Sequence, residues 1–199
     1  MKQAFEITDQ EVINTLLADA AYGTLALCHE NRPYSLPINF VAINGEIYFH
    51  GAKKGRKIEI LKQNTYASFS VVESYALIPS YFSSTEGLAC PATHFFKSLI
   101  IDGSISFVEE QEEKALVLQS LMQKLQPEGK HKPLHDPLYT KAIHATTIYK
   151  LTPDETKAKF KFGQHLNKER FEMILEHLEQ RGEAKDLQTM ALMQQLKEK

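Results

Sequence analysis

Residues 32–61 read Arg32-Pro33-Tyr34-Ser35-Leu36-Pro37-Ile38-Asn39-Phe40-Val41-Ala42-Ile43-Asn44-Gly45-Glu46-Ile47-Tyr48-Phe49-His50-Gly51-Ala52-Lys53-Lys54-Gly55-Arg56-Lys57-Ile58-Glu59-Ile60-Leu61. Asn44-Gly45 is the strongest short hairpin signal, because both residues tolerate the positive φ of a type I′ turn. Before that turn Leu36, Ile38, Phe40 and Ala42 alternate onto one face, and after it Ile47 and Phe49 do the same. Tyr48 and His50 take the opposite face. Pro37 cannot donate to a β ladder, which puts its strand at an edge or a bulge beside an open groove. The hairpin ends at His50, and a glycine-containing basic loop leads into a helix that starts at Arg56. Four cations, Lys53, Lys54, Arg56 and Lys57, crowd that helix start. The macrodipole already places about half a positive charge there, and Asp or Glu ordinarily fills the first turn. A solvated basic turn is one reading of such a run. An anion, most naturally a phosphate, on the free N–H groups of the first turn is the other, and it removes the conflict.

Outward from this stretch, Thr8-Asp9-Gln10-Glu11 reads as a capping box before a helix carrying Val12, Leu16 and Leu17. Gly23–Cys28 reads as a strand closed by the turn 30–33, and residues 66–72 as another. Residues 74–94 show no period, and a long irregular loop in a compact domain is usually functional. Leu99, Ile101, Gly103, Ile105 and Phe107 then alternate against Asp102, Ser104 and Ser106. A helix over 109–126 has apolar positions at Leu116, Leu118, Leu121, Met122 and Leu125. Pro127–Pro137 breaks the pattern and 145–151 restores a strand. From Asn167 an amphipathic helix carries Phe171, Ile174, Leu175 and Leu178 and stops at Gly182. A second starts at Asp186 with Leu187, Met190, Met193 and Leu196. The fold class is α+β, mainly β: an antiparallel barrel with flanking helices and C-terminal amphipathic helices. Residues 1–152 form the barrel domain, and 153–199 a helical extension packed on it or on a partner subunit.

Composition bounds the function. The 199 residues hold 23 Lys and Arg against 25 Asp and Glu, so neither a nucleic-acid-coating surface nor a polybasic membrane anchor is indicated. Cys28 and Cys90 give no disulfide framework and no zinc spacing, which suits a reducing cytosol. No apolar run approaches the roughly 20 residues that span a bilayer, and the N-terminal segment lacks a signal-peptide core. The expectation is a soluble, cytoplasmic protein. His131 and His135 are four apart, but Pro133 and Pro137 deny them a regular helix, so no metal site is expected.

The stretch from Gly23 to Val72 resembles the FMN-binding split-barrel proteins, relatives of pyridoxamine 5′-phosphate oxidase, and within them the nitroimidazole-resistance type. The segments that carry the likeness are Pro33–Phe40, Ile47–Ala52 and Gly55–Leu61, with a second match at Phe96–Gly103. Together they span about Leu16 to Leu125. The resemblance implies a split barrel and a homodimer with FMN in a groove between subunits. It puts Arg56 and Lys57 on the FMN phosphate, with Gly55 where relatives often carry Ser. Ser35, Leu36, Pro37, Ile38 and Asn39 would run along the flavin ring. Since Pro37 has no N–H, the donors there fall to Leu36 and Ile38. Ser98 would make a polar flavin contact. His50, followed by Gly51, would lie beside the flavin as the catalytic candidate, because a neutral imidazole can bond a substrate or deliver a proton near neutral pH. The implied chemistry is hydride or electron transfer from a reduced nicotinamide donor to a small-molecule acceptor, nitroaromatics among them. Oxidation of pyridoxamine phosphate itself is not implied, since that enzyme's C-terminal Arg-containing signature is missing. Two alternatives stay open. One is a haem-binding or haem-degrading split barrel with His94 or His165 as axial ligand. The other is a non-enzymatic regulator that uses its C-terminal helices; the Lys161–Gln164 segment resembles that branch.

Overall fold

A computed structural model describes residues 2–197. In chain order the elements are β1 (Glu6–Ile7), α1 (Gln10–Asp19), β2 (Gly23–His29), β3 (Arg32–Ile38), β4 (Val41–Ile43), β5 (Glu46–Gly51), α2 (Arg56–Leu61), β6 (Tyr66–Ile78), β7 (Thr93–Val108), α3 (Gln111–Leu125), α4 (Thr140–Ala145), β8 (Thr147–Lys161), α5 (Lys168–Arg181) and α6 (Ala184–Lys197). The strands follow the order β3-β2-β6-β7-β8-β5-β4, with β1 on β8. Pairs β2–β3, β2–β6, β4–β5, β5–β8 and β1–β8 are antiparallel. The terminal strands β3 and β4 do not pair, so the sheet stays open, and the α+β split-barrel class holds. No described helix is long and apolar enough to cross a membrane.

The chain packs as two units. One holds Asp9–Val71 and Ile100–Thr156; the other holds the N-terminal residues to Thr8, Val72–Leu99 and the chain from Lys157 onward. In the first unit, Asn44 (φ 52°) and Gly45 (φ 84°) make the β4–β5 turn as expected. The strand before it is not continuous. Phe40 and Val41 are both buried, so the alternation slips one residue, and the expected single strand divides into β3, paired to β2, and β4, paired to β5. Phe40 fixes the slip by packing edge-on against Phe69, ring centroids 4.9 Å apart. The cap of α1 is Asp9 rather than Thr8: its carboxylate accepts from the Glu11 and Val12 N–H groups. Helix α3 buries Val117 and Leu121 against Val41, Tyr48, Val108 and Ile148. Leu116 and Leu125, expected in that stripe, are exposed, because the face is set by the sheet beneath and not by leucine spacing alone. The same cluster takes Val108 and turns Phe107 outward, ending the alternation of β7 two residues early.

In the second unit the expected loop 74–94 is shorter. Strand β6 continues to Ile78, where the Ala76 N–H donates to Thr189 Oγ1 of α6 and Tyr75 packs edge-on against Phe162. Irregular chain, with a 3-10 turn at Ser80–Phe82, is confined to 79–92. These partners are remote in sequence, which is why local pattern ended the strand early. Asn167 caps α5 by accepting the Arg170 N–H, and Gly182 (φ 65°) ends it. Helix α6 begins at Ala184, and its buried stripe is Asp186, Thr189 and Met193, not the one containing Leu187, which is exposed. Asp186 is fully buried because both its oxygens accept from the Arg181 guanidinium, at 2.5 and 2.8 Å.

Candidate functional site

Strand β3 has β2 on one flank only. Pro33 pairs in register with Cys28 and Pro37 with Thr24. Neither proline has an N–H, so the bonded pairs of this ladder are the intervening ones, Leu25 with Leu36 and Gly23 with Ile38. The Leu36 and Ile38 donors therefore point at β2. The open flank offers a single N–H in the stretch 33–37, that of Ser35, together with the carbonyls of Pro33, Ser35 and Pro37. Ser35, Pro37 and Asn39 are exposed, and Leu36 and Ile38 half-buried.

Helix α2 carries two cations, of which Arg56 faces this region. Gly55 is its N-cap, with φ 110° and no side-chain cap, a conformation only glycine holds cheaply. The Arg56 guanidinium lies 4.5 Å from the centroid of the Tyr34 ring on β3. The Lys57 ammonium turns the other way, 3.9 Å over Tyr149 and 5.1 Å from Phe49. Those two rings stack at 4.9 Å and 8°, and the Tyr149 hydroxyl donates to the Ala52 carbonyl at 2.8 Å. Gly51 leaves room for this placement: a Cβ there would come within 2.4 Å of Lys57 Nζ and displace the ammonium. Burial pushes the Lys57 ammonium below its ordinary pKa. Among the described residues Lys53, Lys54, Arg56 and Lys57 form no ion pair. A desolvated cation without a counter-ion is costly unless an anion completes it.

His50 pairs through its main chain opposite Ile148, and its ring is exposed with no hydrogen bond or ring partner among the described residues. It is free to meet a ligand. Ser98 belongs to the other unit, where its Oγ donates to the Lys159 carbonyl at 3.5 Å. The structure thus gathers Ser35–Asn39, His50, Gly51, Gly55, Arg56 and Lys57 in one unit and Ser98 in the other. His94 is occupied by Ser74 Oγ at 2.8 Å and the Tyr75 carbonyl at 3.3 Å.

Three participants went unseen in the sequence: Arg32, Tyr34 and Tyr149. Arg32 lines a cleft of about 570 Å³ with Arg56, His29, Glu30 and Glu59. Its position at the start of β3, directly after the Glu30-Asn31 turn, was the available signal. Tyr149 is separated from Lys57 by nearly half the chain and left none. Chemically, the unit presents uncompensated cations, an aromatic platform and a strand edge with one donor among acceptors. That set suits a ligand with an anionic tail and a planar heteroatom-rich ring.

A family model described as pyridoxamine 5′-phosphate oxidase matches residues 9–160. No curated protein matches the sequence. Among solved structures, a protein of Bacteroides thetaiotaomicron named for 5-nitroimidazole antibiotic resistance aligns at 21% identity, covering 77% of this chain and 85% of its own, with a TM-score of 0.63. An FAD- and haem-binding protein of Mycobacterium smegmatis aligns at 20% identity over 78% and 73%, TM-score 0.63. A flavocytochrome of Azotobacter vinelandii aligns at 20% over 81% and 72%, also at 0.63. At these identities the likeness establishes the fold.

Proposed function

The chain belongs to the pyridoxamine 5′-phosphate oxidase family, and from that premise we propose that it is an FMN-binding oxidoreductase acting as a homodimer. The observation that carries the reading is the pair Arg56 and Lys57, held against Tyr34 and Tyr149 with no counter-ion, beside the open edge of β3. In this reading the two cations take the FMN phosphate. Each charge-assisted hydrogen bond contributes about 1.5–3 kcal/mol, a large share of the roughly 8 kcal/mol of micromolar binding. The Ser35 N–H and the neighbouring carbonyls orient the ring edge. His50, exposed and unpartnered, hydrogen-bonds the acceptor and gives it a proton. When bound, the flavin supplies hydride or electron transfer from a reduced nicotinamide donor to a small acceptor, nitroaromatics among the candidates. Two exposed free thiols, Cys28 and Cys90, suit a cytosolic setting.

The neighbours named for haem support a second reading, a haem site with His94 or His165 as axial ligand: Nε2 of His94 is engaged by Ser74 and Tyr75, whereas the His165 ring packs edge-on to Phe5. The visible spectrum of purified protein, followed by FMN titration of the apo form and of Arg56→Ala/Lys57→Ala, tests the proposal. Flavin bands and micromolar binding lost in the double variant are expected. A Soret band, or folded protein that ignores FMN, overturns it.

A further inference from the structure

Residues from 83–95 and 161–174 line a half-open cavity of about 490 Å³, within the range of small-molecule sites. Its polar wall is made by Ser83, Thr93, Lys161, His165 and Arg170, and no residue lining it is a carboxylate. The Lys161 ammonium donates to Thr93 Oγ1. The Arg170 guanidinium donates from Nε to the Ser83 carbonyl at 3.1 Å and from Nη2 to Ser83 Oγ at 3.3 Å. These acceptors are neutral, so both cations are positioned but not neutralised, and neither forms an ion pair among the described residues. Lys197 adds charge nearby, its Nζ donating to the Gln164 and Leu166 carbonyls at 3.2 and 2.7 Å. The imidazole of His165, edge-on to Phe5 at 5.1 Å, reports the resulting field. Burial lowers its pKa first, then Lys2, Lys161, Arg170 and Lys197; every charge acting on it is positive.

We propose that this cavity binds a small polyanion, bearing phosphate or clustered carboxylates, through Lys161 and Arg170, with His165 taking up a proton from solvent as the anion enters. None of its residues belongs to the flavin site, so the proposal stands or falls separately. A monoanion would leave most of the field uncompensated, which is why a multiply charged group is the fitting class. The sign of the proton linkage follows: the bound anion raises the pKa of His165 above its depressed value in the free protein.

Calorimetric titration of the intact chain with pyrophosphate and, separately, with citrate at pH 7.5 and low salt tests this. Lys161→Met and Arg170→Gln are the variants, with circular dichroism melting to verify folding. Saturable binding is expected, weakened about tenfold or more in each variant, with the His165 ring resonances titrating at higher pH when pyrophosphate is present. Preference for pyrophosphate assigns the phosphate class, and preference for citrate the carboxylate class; either supports the site. No binding of either probe by folded protein overturns the proposal. So does binding undiminished in both variants, or an unmoved His165 midpoint.

Discussion

Lys57→Met separates what that side chain does for folding from what it does for a ligand. Methionine keeps an unbranched apolar stem on the Tyr149 and Phe49 rings and removes only the ammonium. Folding loses a cation–π contact, about 0.5–2 kcal/mol at the 3.9 Å separation seen here, and is relieved of an unpaired, half-buried charge. The two offset, so stability should change by less than about 1 kcal/mol. Binding has no such compensation. Losing one charge-assisted hydrogen bond of about 1.5–3 kcal/mol raises Kd roughly 10- to 150-fold. Riboflavin isolates that quantity, because it has the ring of FMN without the phosphate. Flavin fluorescence titration of wild type, Lys57→Met and Arg56→Gln with both ligands gives the ratio of affinities. The ratio should fall by that factor in each variant, while riboflavin affinity stays nearly constant. An unchanged ratio, or equal losses for both flavins, would refute the assignment of these cations to the phosphate.

Alkaline stability should decline from about pH 10. The Tyr149 hydroxyl is pushed up to about 12 by burial, and that of Tyr48 is raised by burial, then by bonds to Glu46 and Glu113. Both phenols therefore ionise first in the unfolded chain, and the stability they contribute below pH 10 is lost as pH rises through their folded values; absorbance at ~295 nm and urea melts should show it together. Asp186→Asn should cost about 1.5–3 kcal/mol in chemical denaturation, since it removes the charge from the bonds to Arg181, whose guanidinium stays partly open to water. The Arg181 bond holds the Asp186 carboxyl below its ordinary value of 3.8, so its contribution is present above that pH and lost as pH falls through the folded pKa; the variant should flatten that acid limb. Gly23→Ala should destabilise by about 1–3 kcal/mol, because a Cβ would come within 2.1 Å of the Phe69 ring. A melting temperature equal to wild type would show that the ring has somewhere to go.

What the sequence disclosed was local. Asn44-Gly45, the glycine before Arg56 and the basic run all sit within a few residues of the structure they determine, and each was legible. Asn39-Phe40 was not. The hydrophobic alternation through Phe40 looks continuous until Phe69 captures that ring and the strand changes partner. The far end of β6 was hidden for a similar reason, since Thr189 satisfies its backbone from more than a hundred residues away. In α3, leucine spacing suggested one face and the sheet selected another, centred on Val117. The site divides along the same line. Arg56, Lys57 and His50 could be named from motif and position, whereas Tyr149 beneath Lys57 is a tertiary fact.

The open flank of β3 has a further bearing, on how the protein survives at high concentration. An exposed strand invites another chain to add to it, which is how sheets propagate into aggregates. Such growth needs a donor at every second residue. Pro33 and Pro37 delete two of the three donors along that flank and leave Ser35 alone between them. A small planar molecule can use one donor and its flanking carbonyls; a polypeptide cannot zip onto so sparse a row. The prolines that leave this edge a single donor also make it a poor template for the chain's own copies.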